Sequence, residues 1–353
     1  MAYTDIDKSD DYFTTFLWTG DGSTSPRVHT GVGLQADMMW SKVRSTGHQH
    51  NLVDRVRGVN QRLLMPSDSN DEDTTCTHGH FDSLDSDGFT TTNAGGNWNV
   101  NASGETYVGW FWKANGSGSS NTDGSITSTV SANTTSGFSI VSFTGTGATA
   151  TVGHGLGVKP YLIIAKNRTD TVDWYVYHSS LGATKNLRLN QNYAELTESA
   201  PWDNTEPTTS VISVNNANGT NGSSDNLIFY CMTSKKGFSK FGSYTGNGSA
   251  DGTFIYTGFK PAMIIRKVSS TTGGWLIHDS TRTPFNGLNS NTNGLRPSSS
   301  EAEFDFFDID YLSNGFKIRT AEANHNQSGQ TFIYIAFASS PFVTSTGIPT
   351  CAR

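Results

Sequence analysis

Hydrophobic residues are concentrated in short runs along the chain. The runs hold about 4–6 residues, favour Val, Ile, Phe, Tyr and Trp, and are bounded by Gly, Asn, Asp or Pro. Asp-Gly and Asn-Gly pairs between them supply the positive-φ turns that hairpins need. Apart from one possible short turn over residues 191–199, no stretch has the period of an amphipathic helix. The pattern therefore predicts an all-β protein.

One sequence pattern occurs three times. It consists of Thr-Gly-x-Gly, then Gly-Φ-x-Pro, and a hydrophobic run that ends in Lys at residues 37–42, 161–166 and 262–267. The Gly of the second element follows the Thr by 14, 13 and 13 residues, and Ala36 replaces Pro in the first copy. Eight residues beyond each closing Lys stand His50, Trp174 and Trp275, each opening another strand-like run. This regular spacing indicates three copies of one unit.

Each copy has the length and strand content of a small antiparallel β-sandwich. The run at residues 161–164 is apolar on both faces, which is typical of a central strand in such a sandwich. The predicted sandwiches span residues 1–113, 137–236 and 237–340. Residues 114–136 are rich in Gly, Ser, Thr and Asn, with one charged residue, and are expected to form a linker. Residues 341–353 are expected to form a short C-terminal tail.

Composition narrows the class of protein. Only 34% of the residues are hydrophobic and 16% are charged, but aromatic residues reach 11% and the net charge is −7, which argues against disorder. A pI near 5.7 without a basic run argues against nucleic-acid binding. No run is long enough for a membrane-spanning helix, and the N-terminus lacks the pattern of a secretory signal. We therefore expect no membrane insertion and no nucleic-acid partner.

Two His-x-His pairs are the candidate metal ligands, His48 with His50 and His78 with His80. On a strand, alternate residues point to the same side, so each pair could present two imidazoles to a structural metal ion. The alternative is that all four are ordinary loop histidines. No other cofactor is expected.

Acidic and matched polar positions offer other candidates. Between Glu301 and Asp308, carboxylates alternate with aromatic residues, which favours a solvated strand face and leaves a calcium site and catalysis as the alternatives. His178 and His278 lie near matching places in their units, where the first copy has Asp54, which favours structural polar pairing. None of these positions carries a catalytic motif, so we expect no enzymatic activity.

Three aromatic residues are the candidate ligand-binding positions. Trp98, Tyr193 and Trp202 lie in polar, loop-like surroundings, where an exposed ring could stack on a sugar or fill a protein interface. The alternative is that the three rings cover the ends of the sandwiches.

The repeated motifs resemble an uncharacterised tandem-repeat β domain of marine tailed bacteriophages, including cyanophages and pelagiphages. The resemblance rests on Thr-Gly-x-Gly, Gly-Φ-x-Pro, the run ending in Lys, and Leu312-Ser313-Asn314-Gly315-Phe316. It extends over nearly the whole chain, and the replacement of Pro by Ala36 is a departure from it. It implies lectin-like or jelly-roll-like sandwiches in a virion-associated protein, and it carries no catalytic residues to transfer.

The resemblance and the composition favour a non-enzymatic virion protein exposed on the particle. The first expectation is a tail-fibre-like or receptor-binding component, a homotrimer that contacts other virion proteins and host surface glycans. The second is a head-attached fibre, knob or capsid decoration protein. A polysaccharide depolymerase is the third, but about 100 residues per unit does not match the long β-helix expected of that class.

Overall fold

The structure is a computed structural model. It describes residues 4–60, 62–77, 79–93, 100–283, 292–306, 308–340, 342–343 and 349–350.

The first unit, ending at residue 113, has a 3₁₀ turn at Ser9–Asp11 and, within its described residues, seven strands. They are β1 (Phe13–Thr19), β2 (Arg27–Thr30), β3 (Met38–Val43), β4 (Asn51–Asp54), β5 (His80–Asp85), β6 (Gly88–Thr92) and β7 (Thr106–Trp112).

The second unit, residues 114–236, contains ten strands and one helical turn. They are β8 (Ser119–Asn121), β9 (Ser128–Asn133), β10 (Phe138–Thr144), β11 (Ala150–Gly153), β12 (Leu162–Asn167), β13 (Tyr175–His178), β14 (Lys185–Arg188), β15 (Leu196–Thr197), β16 (Val211–Val214), α1 (Asn218–Asn221) and β17 (Asn226–Met232).

In the described part of the third unit, residues 237–340, there are nine strands and a second helical turn, and two short strands are described in the tail that follows. They are β18 (Ser239–Thr245), β19 (Phe254–Tyr256), β20 (Pro261–Val268), β21 (Trp275–Asp279), β22 (Thr292–Gly294), β23 (Phe304–Phe306), β24 (Ile309–Leu312), β25 (Gly315–Ile318), α2 (Ala323–Asn326), β26 (Thr331–Ala338), β27 (Phe342–Val343) and β28 (Pro349–Thr350).

The same four-strand arrangement occurs in each unit. The orders are β1-β7-β3-β4, β10-β17-β12-β13 and β18-β26-β20-β21, and every pairing among them is antiparallel. A smaller antiparallel sheet accompanies each one, formed by β2-β6-β5, β11-β16 and β19-β25-β24. The predicted all-β fold with antiparallel sandwiches is confirmed. The two α-helices have four residues each, so no helix of the described ranges could span a bilayer.

Each main sheet is buried on both faces because its side chains alternate between two cores. In β12, Ile163 and Ala165 belong to a core within the second unit. Leu162 and Ile164, pointing the other way, belong to a larger cluster that also contains Trp40 of the first unit and Ile265 of the third. We call this cluster the shared core. The second buried face of each central strand is therefore explained by contact between units, whereas the sequence pattern had been attributed to a central strand within one sandwich.

The centre of the shared core is nearly solid. It encloses a cavity of about 20 Å³, lined by residues of all three units, including Met38, Leu162 and Phe337. The lining is apolar apart from Tyr230. A space of this size and character stays dry, so it is a packing defect and not a ligand site.

Residues 114–136 form part of a sheet, contrary to the expected linker. β9 pairs with β10 along five residue pairs, and β8 pairs with β9, so the second unit's sheet has eight strands. Val130 is buried against the second unit's own core, and the Ser131 hydroxyl accepts a hydrogen bond from the Asn115 N–H at 2.8 Å. The polar composition concealed this segment because Ser and Thr hydrogen-bond well within a sheet and few apolar side chains are needed at its edge.

Candidate binding cleft and the contacts that build it

A cyclic set of contacts joins the three units. The Trp174 indole N–H of the second unit donates to the Met65 carbonyl of the first at 3.2 Å, and the Trp275 indole N–H of the third donates to the Arg188 carbonyl of the second at 2.8 Å. His50 of the first unit closes the ring through Nε2 and the Arg296 carbonyl of the third, at 3.0 Å. The three rings that sequence spacing had matched therefore make one repeated contact between neighbours.

Ion pairs accompany two of these junctions. Glu72 of the first unit accepts hydrogen bonds from Arg168 of the second, and Glu303 of the third accepts two from Arg44 of the first. The equivalent residue at the remaining junction is Glu195, whose backbone N–H donates to the Ser269 carbonyl at 2.7 Å. Although burial opposes the charged form of Glu303, its hydrogen bond from Arg44 and the neighbouring arginine charges hold the pKa below the usual value.

The predicted histidine metal sites do not form among the residues described. His50 is completely buried, and its Nδ1 accepts a 3.0 Å hydrogen bond from the Trp40 indole N–H, so both of its ring nitrogens are occupied by the protein. Burial holds the pKa of His50 well below 6.5, which keeps the ring neutral as these two bonds require. His48 is half-buried outside any strand, and His80 Nε2 lies 3.2 Å from Asp82. His78 lies outside the described residues, within which no group of three or more His, Cys, Asp or Glu is placed to hold a metal.

The acidic stretch from Glu301 to Asp308 is solvated only in part, since Glu301 and Asp305 are exposed, and its described residues do not form a calcium site. Glu303 is held by arginines, as described above, and Asp308 is completely buried inside the third unit. Asp308 pairs with the buried Arg266 and lies 3.0 Å from His278 Nε2. Carboxylates that are paired in this way stabilise the interior, and their oxygens are already engaged by cations.

The predicted match between His178 and His278 is wrong by one residue. Counted from the ring that opens each run, His178 is equivalent to Asp54 and Asp279, whereas His278 is equivalent to Val53 and Tyr177. Because successive strand residues point to opposite faces, this shift moves His278 into the third unit's own core and leaves His178 facing its neighbour. His178 Nε2 donates to the Tyr334 carbonyl of the third unit at 3.3 Å, which fits the expected structural role.

The three candidate sugar-binding rings have different outcomes. Trp202 is only 1% exposed and packs between Tyr177 and Phe229, so it cannot reach a ligand. Its polar neighbours in sequence had suggested an exposed loop, but the ring packs against the second unit's core. Tyr193 is 50% exposed, as its surroundings predicted. Trp98 lies outside the described residues.

A cleft of about 450 Å³ lies between the second and third units. Tyr161 of the second unit and Tyr256 of the third line it, with exposures of 40% and 54%. Lys235, Lys236 and Lys240 complete its charged lining, and no acidic residue is among the described residues that line it. We refer to these five residues and the space between them as the cleft.

The lysines of the cleft are held by a tight turn and a strand. Ser239 N–H donates to the Lys235 carbonyl at 3.0 Å, and the Asp5 N–H of the N-terminal segment donates to the Lys236 carbonyl at 3.1 Å. Gly237 allows the turn because its φ is +78°, and a Cβ at this position would lie 2.3 Å from Thr4. The site is therefore built on fixed backbone.

Tyr256 and Lys240 support each other. The Lys240 ammonium donates to the Tyr256 carbonyl at 2.8 Å and lies 5.1 Å from the centre of the Tyr256 ring. The pairing orients a cation beside an aromatic face, an arrangement that suits stacking and charge recognition together. Sequence reasoning missed the cleft because Lys235 and Lys236 had been interpreted only as a boundary. The available signal was a cluster of lysines in an otherwise charge-poor chain.

A family described as Domain of unknown function (DUF7483) matches residues 8–341, so the chain belongs to this family. No curated protein and no solved structure matches it.

Proposed function

We propose that this member of the DUF7483 family is a non-enzymatic bacteriophage virion protein that binds host surface glycans through the cleft. It would act as a tail-fibre-like or receptor-binding component, as a homotrimer together with other virion proteins. The observation that carries the glycan-binding proposal is the pair of exposed tyrosines on either side of a 450 Å³ cleft. The virion assignment draws on the motif resemblance.

The geometry of the cleft suits carbohydrate. Two phenol rings offer flat apolar faces for the C–H surface of a sugar ring, while their hydroxyl groups can bond to sugar hydroxyls. Ser239 and Thr257 also line the cleft, but their hydroxyls donate to the Thr233 and Phe259 carbonyls, so the lysines and tyrosines carry the polar contacts to a ligand. A cleft of this volume is within the range of small-ligand sites, so it could take a short segment of a surface polysaccharide.

The internal polar residues support a structural role. The acids and histidines considered as catalytic or metal-binding candidates are engaged in contacts within or between units, as Asp308 and His50 illustrate. Such contacts hold the fold together and leave binding as the chemistry offered by the cleft.

Calorimetric titration and a glycan array with bacterial surface polysaccharides test the proposal. We expect the intact protein to bind at least one polysaccharide, and Tyr161→Ala with Tyr256→Ala to weaken that binding by at least about tenfold, equal to 1.4 kcal/mol. Tyr193→Ala is the matched control, because Tyr193 is exposed to a similar extent but does not line the cleft.

Different results would contradict the glycan site, the non-enzymatic assignment and the tail location. If no polysaccharide binds, or the cleft variant binds as tightly as the Tyr193→Ala control, the cleft is not a glycan site. Release of reducing sugar ends during the titration would overturn the non-enzymatic assignment. Labelled antibody on intact virions would show a head protein if the label lies on the capsid shell.

A further inference from the structure

The cleft lies at the junction between the second and third units. At the junction between the first and second units, the equivalent space is filled by the chain's own residues. Between the first and second units, Gly155 lies under β9, and a Cβ at this position would lie 2.9 Å from Val130 and 3.2 Å from Ala132. Gly155 follows the Thr of Thr-Gly-x-Gly by 11 residues, and Tyr256 follows the corresponding Thr245 by the same number. The second unit therefore has a glycine under its own added strand at the place where the third unit has an exposed tyrosine.

The edge strand of the third unit does not carry an equivalent addition. Among the described strands, β18 pairs only with β26, whereas its counterpart β10 pairs with β17 and β9. The space that β9 occupies at one junction is thus open at the other, where Lys240 and Tyr256 line it. Among the described strands, β1 of the first unit also pairs only with β7, so the added strand is particular to the second unit, and the cleft lies at an edge of the third unit that no described strand covers.

The charge of the cleft is opposite to that of the chain. The whole protein has a net charge of −7, yet three lysines and no described carboxylate line this space. Ammonium groups that surround a partly enclosed space favour an anion, because the surrounding protein screens their field less than bulk water does.

We infer that the cleft selects an anionic saccharide, one that carries carboxylate or sulfate groups. This inference rests on the proposed glycan-binding function and adds the class of ligand to it. The tyrosines would contact the sugar rings, while Lys235, Lys236 and Lys240 would pair with the acidic substituents.

An acidic peptide strand fits the cleft less well. Strand addition needs free N–H groups along the edge of β18. The Phe241 N–H already donates to the Ser234 hydroxyl at 3.3 Å, and the Ser239 N–H to the Lys235 carbonyl at 3.0 Å. A saccharide does not need these backbone groups, so the lysines and tyrosines remain sufficient for its recognition.

Calorimetric titration with dextran, carboxymethyl dextran and dextran sulfate tests the inference, because the three polymers share one backbone and differ in charge. We expect both charged polymers to bind at least about tenfold more tightly than neutral dextran, a difference that corresponds to 1.4 kcal/mol. We also expect this preference to weaken as salt is added, since exposed charges are screened.

Lysine variants test whether the lysines of the cleft cause the preference for charged dextran. Replacing Lys235, Lys236 and Lys240 by Gln should abolish the preference for charged dextran, while replacing the same three by Arg should retain it. Replacing Lys8, Lys185 and Lys317 by Gln changes the net charge equally but leaves the cleft intact, so it should retain the preference. A loss of preference in this control would overturn the assignment to the cleft.

Three further outcomes show whether this inference, the proposed function or both are wrong. If neutral dextran binds through the tyrosines as tightly as the charged polymers, selection for anions is wrong and glycan binding stands. If polyglutamate binds to the cleft lysines more tightly than either charged dextran, the partner is an acidic peptide and the inference is wrong. If none of the polymers binds and the surface-polysaccharide array is also negative, both proposals fail.

Discussion

Asp54, His178 and Asp279 occupy the same position in the three units, and each bonds to the neighbouring unit. Asp54 accepts a hydrogen bond from the Tyr230 hydroxyl at 2.7 Å, and Asp279 accepts one from the Trp110 indole N–H at 3.0 Å. His178 instead donates to a backbone carbonyl. Three residues further on, the two aspartates have an arginine partner, whereas the second unit has a leucine. Each unit therefore has either both buried charges, the aspartate and its arginine, or neither of them.

This pairing predicts unequal effects of single and double substitutions. Asp54→Ala leaves the buried Arg57 guanidinium without its nearest carboxylate, so we expect it to lower the free energy of unfolding by about 3–5 kcal/mol. Asp54→His combined with Arg57→Leu copies the second unit and should cost less than the single change. Urea denaturation measures both, and an equal or larger loss in the double variant would contradict the pairing argument.

Three buried lysines give the stability of the protein a pH dependence. Burial lowers the pKa of Lys42 to about 7, that of Lys166 to about 8 and that of Lys267 to about 7. Each closes the apolar run of its unit and donates to backbone carbonyls, Lys42 to Val43 at 2.7 Å for example. Between a lowered folded pKa and the ordinary unfolded one near 10.5, the unfolded chain binds more protons than the folded chain. Stability therefore rises with pH in this range.

We expect the free energy of unfolding to increase by roughly 2 kcal/mol from pH 7 to pH 8, mainly through Lys42 and Lys267. In this window most cysteine and tyrosine side chains are still protonated in the unfolded chain, so they contribute little. Lys42→Met with Lys267→Met should flatten the rise, and Lys8→Met, at an exposed lysine, should not. Denaturation curves at several pH values would count against the argument if the double variant kept the full slope.

At the scale of elements, sequence patterns located strands more reliably than their partners. The runs at residues 161–166 and 262–267 form β12 and β20, because apolar residues at successive positions need two buried faces. The pattern could not show that the second face belongs to other units, since burial against a neighbour and burial within a sandwich require the same residues. Tyr256 and Lys240 carried no local pattern that places them together, because their contact depends on how β18 and β19 are arranged.

The strand at Ser128–Asn133 offers a direct test of the sheet found in place of the linker. Val130 faces the core and Thr129 faces solvent on the same strand. We expect Val130→Asp to destabilise the protein by about 3 kcal/mol or more, because it places a carboxylate against apolar side chains. Thr129→Asp, the matched control, should change stability by less than about 0.5 kcal/mol. Equal and small effects on thermal unfolding would indicate a linker after all.

At the scale of the whole molecule, the shared core makes the units interdependent. The shared core buries Leu162, Ile164 and Met232 of the second unit against residues of the first and third units. The cyclic contacts give one chain an arrangement of three similar parts. Whether three chains then assemble, as expected from the sequence, stays a prediction that sedimentation can test against the 38.1 kDa mass of one chain.

An excised second unit should fail to fold as a monomer. Residues 114–236 expressed alone would expose the face that includes Leu162 and Ile164, a larger apolar patch than monomeric soluble proteins ordinarily present. We expect no cooperative thermal transition from a monomeric fragment, while the full chain unfolds in one transition that includes all three units. A folded monomeric fragment, seen by circular dichroism and sedimentation, would show that the units are independent.

The closing contact of the ring has a consequence for synthesis. His50 and Arg44 meet their partners, the Arg296 carbonyl and Glu303, only when the chain has grown by a further 246 and 259 residues. At ribosomal rates of about 5–20 residues per second, the first unit waits more than ten seconds with its inner face uncovered. Final assembly therefore follows translation of the third unit, and during that interval the nascent chain is most exposed to aggregation and to chaperones.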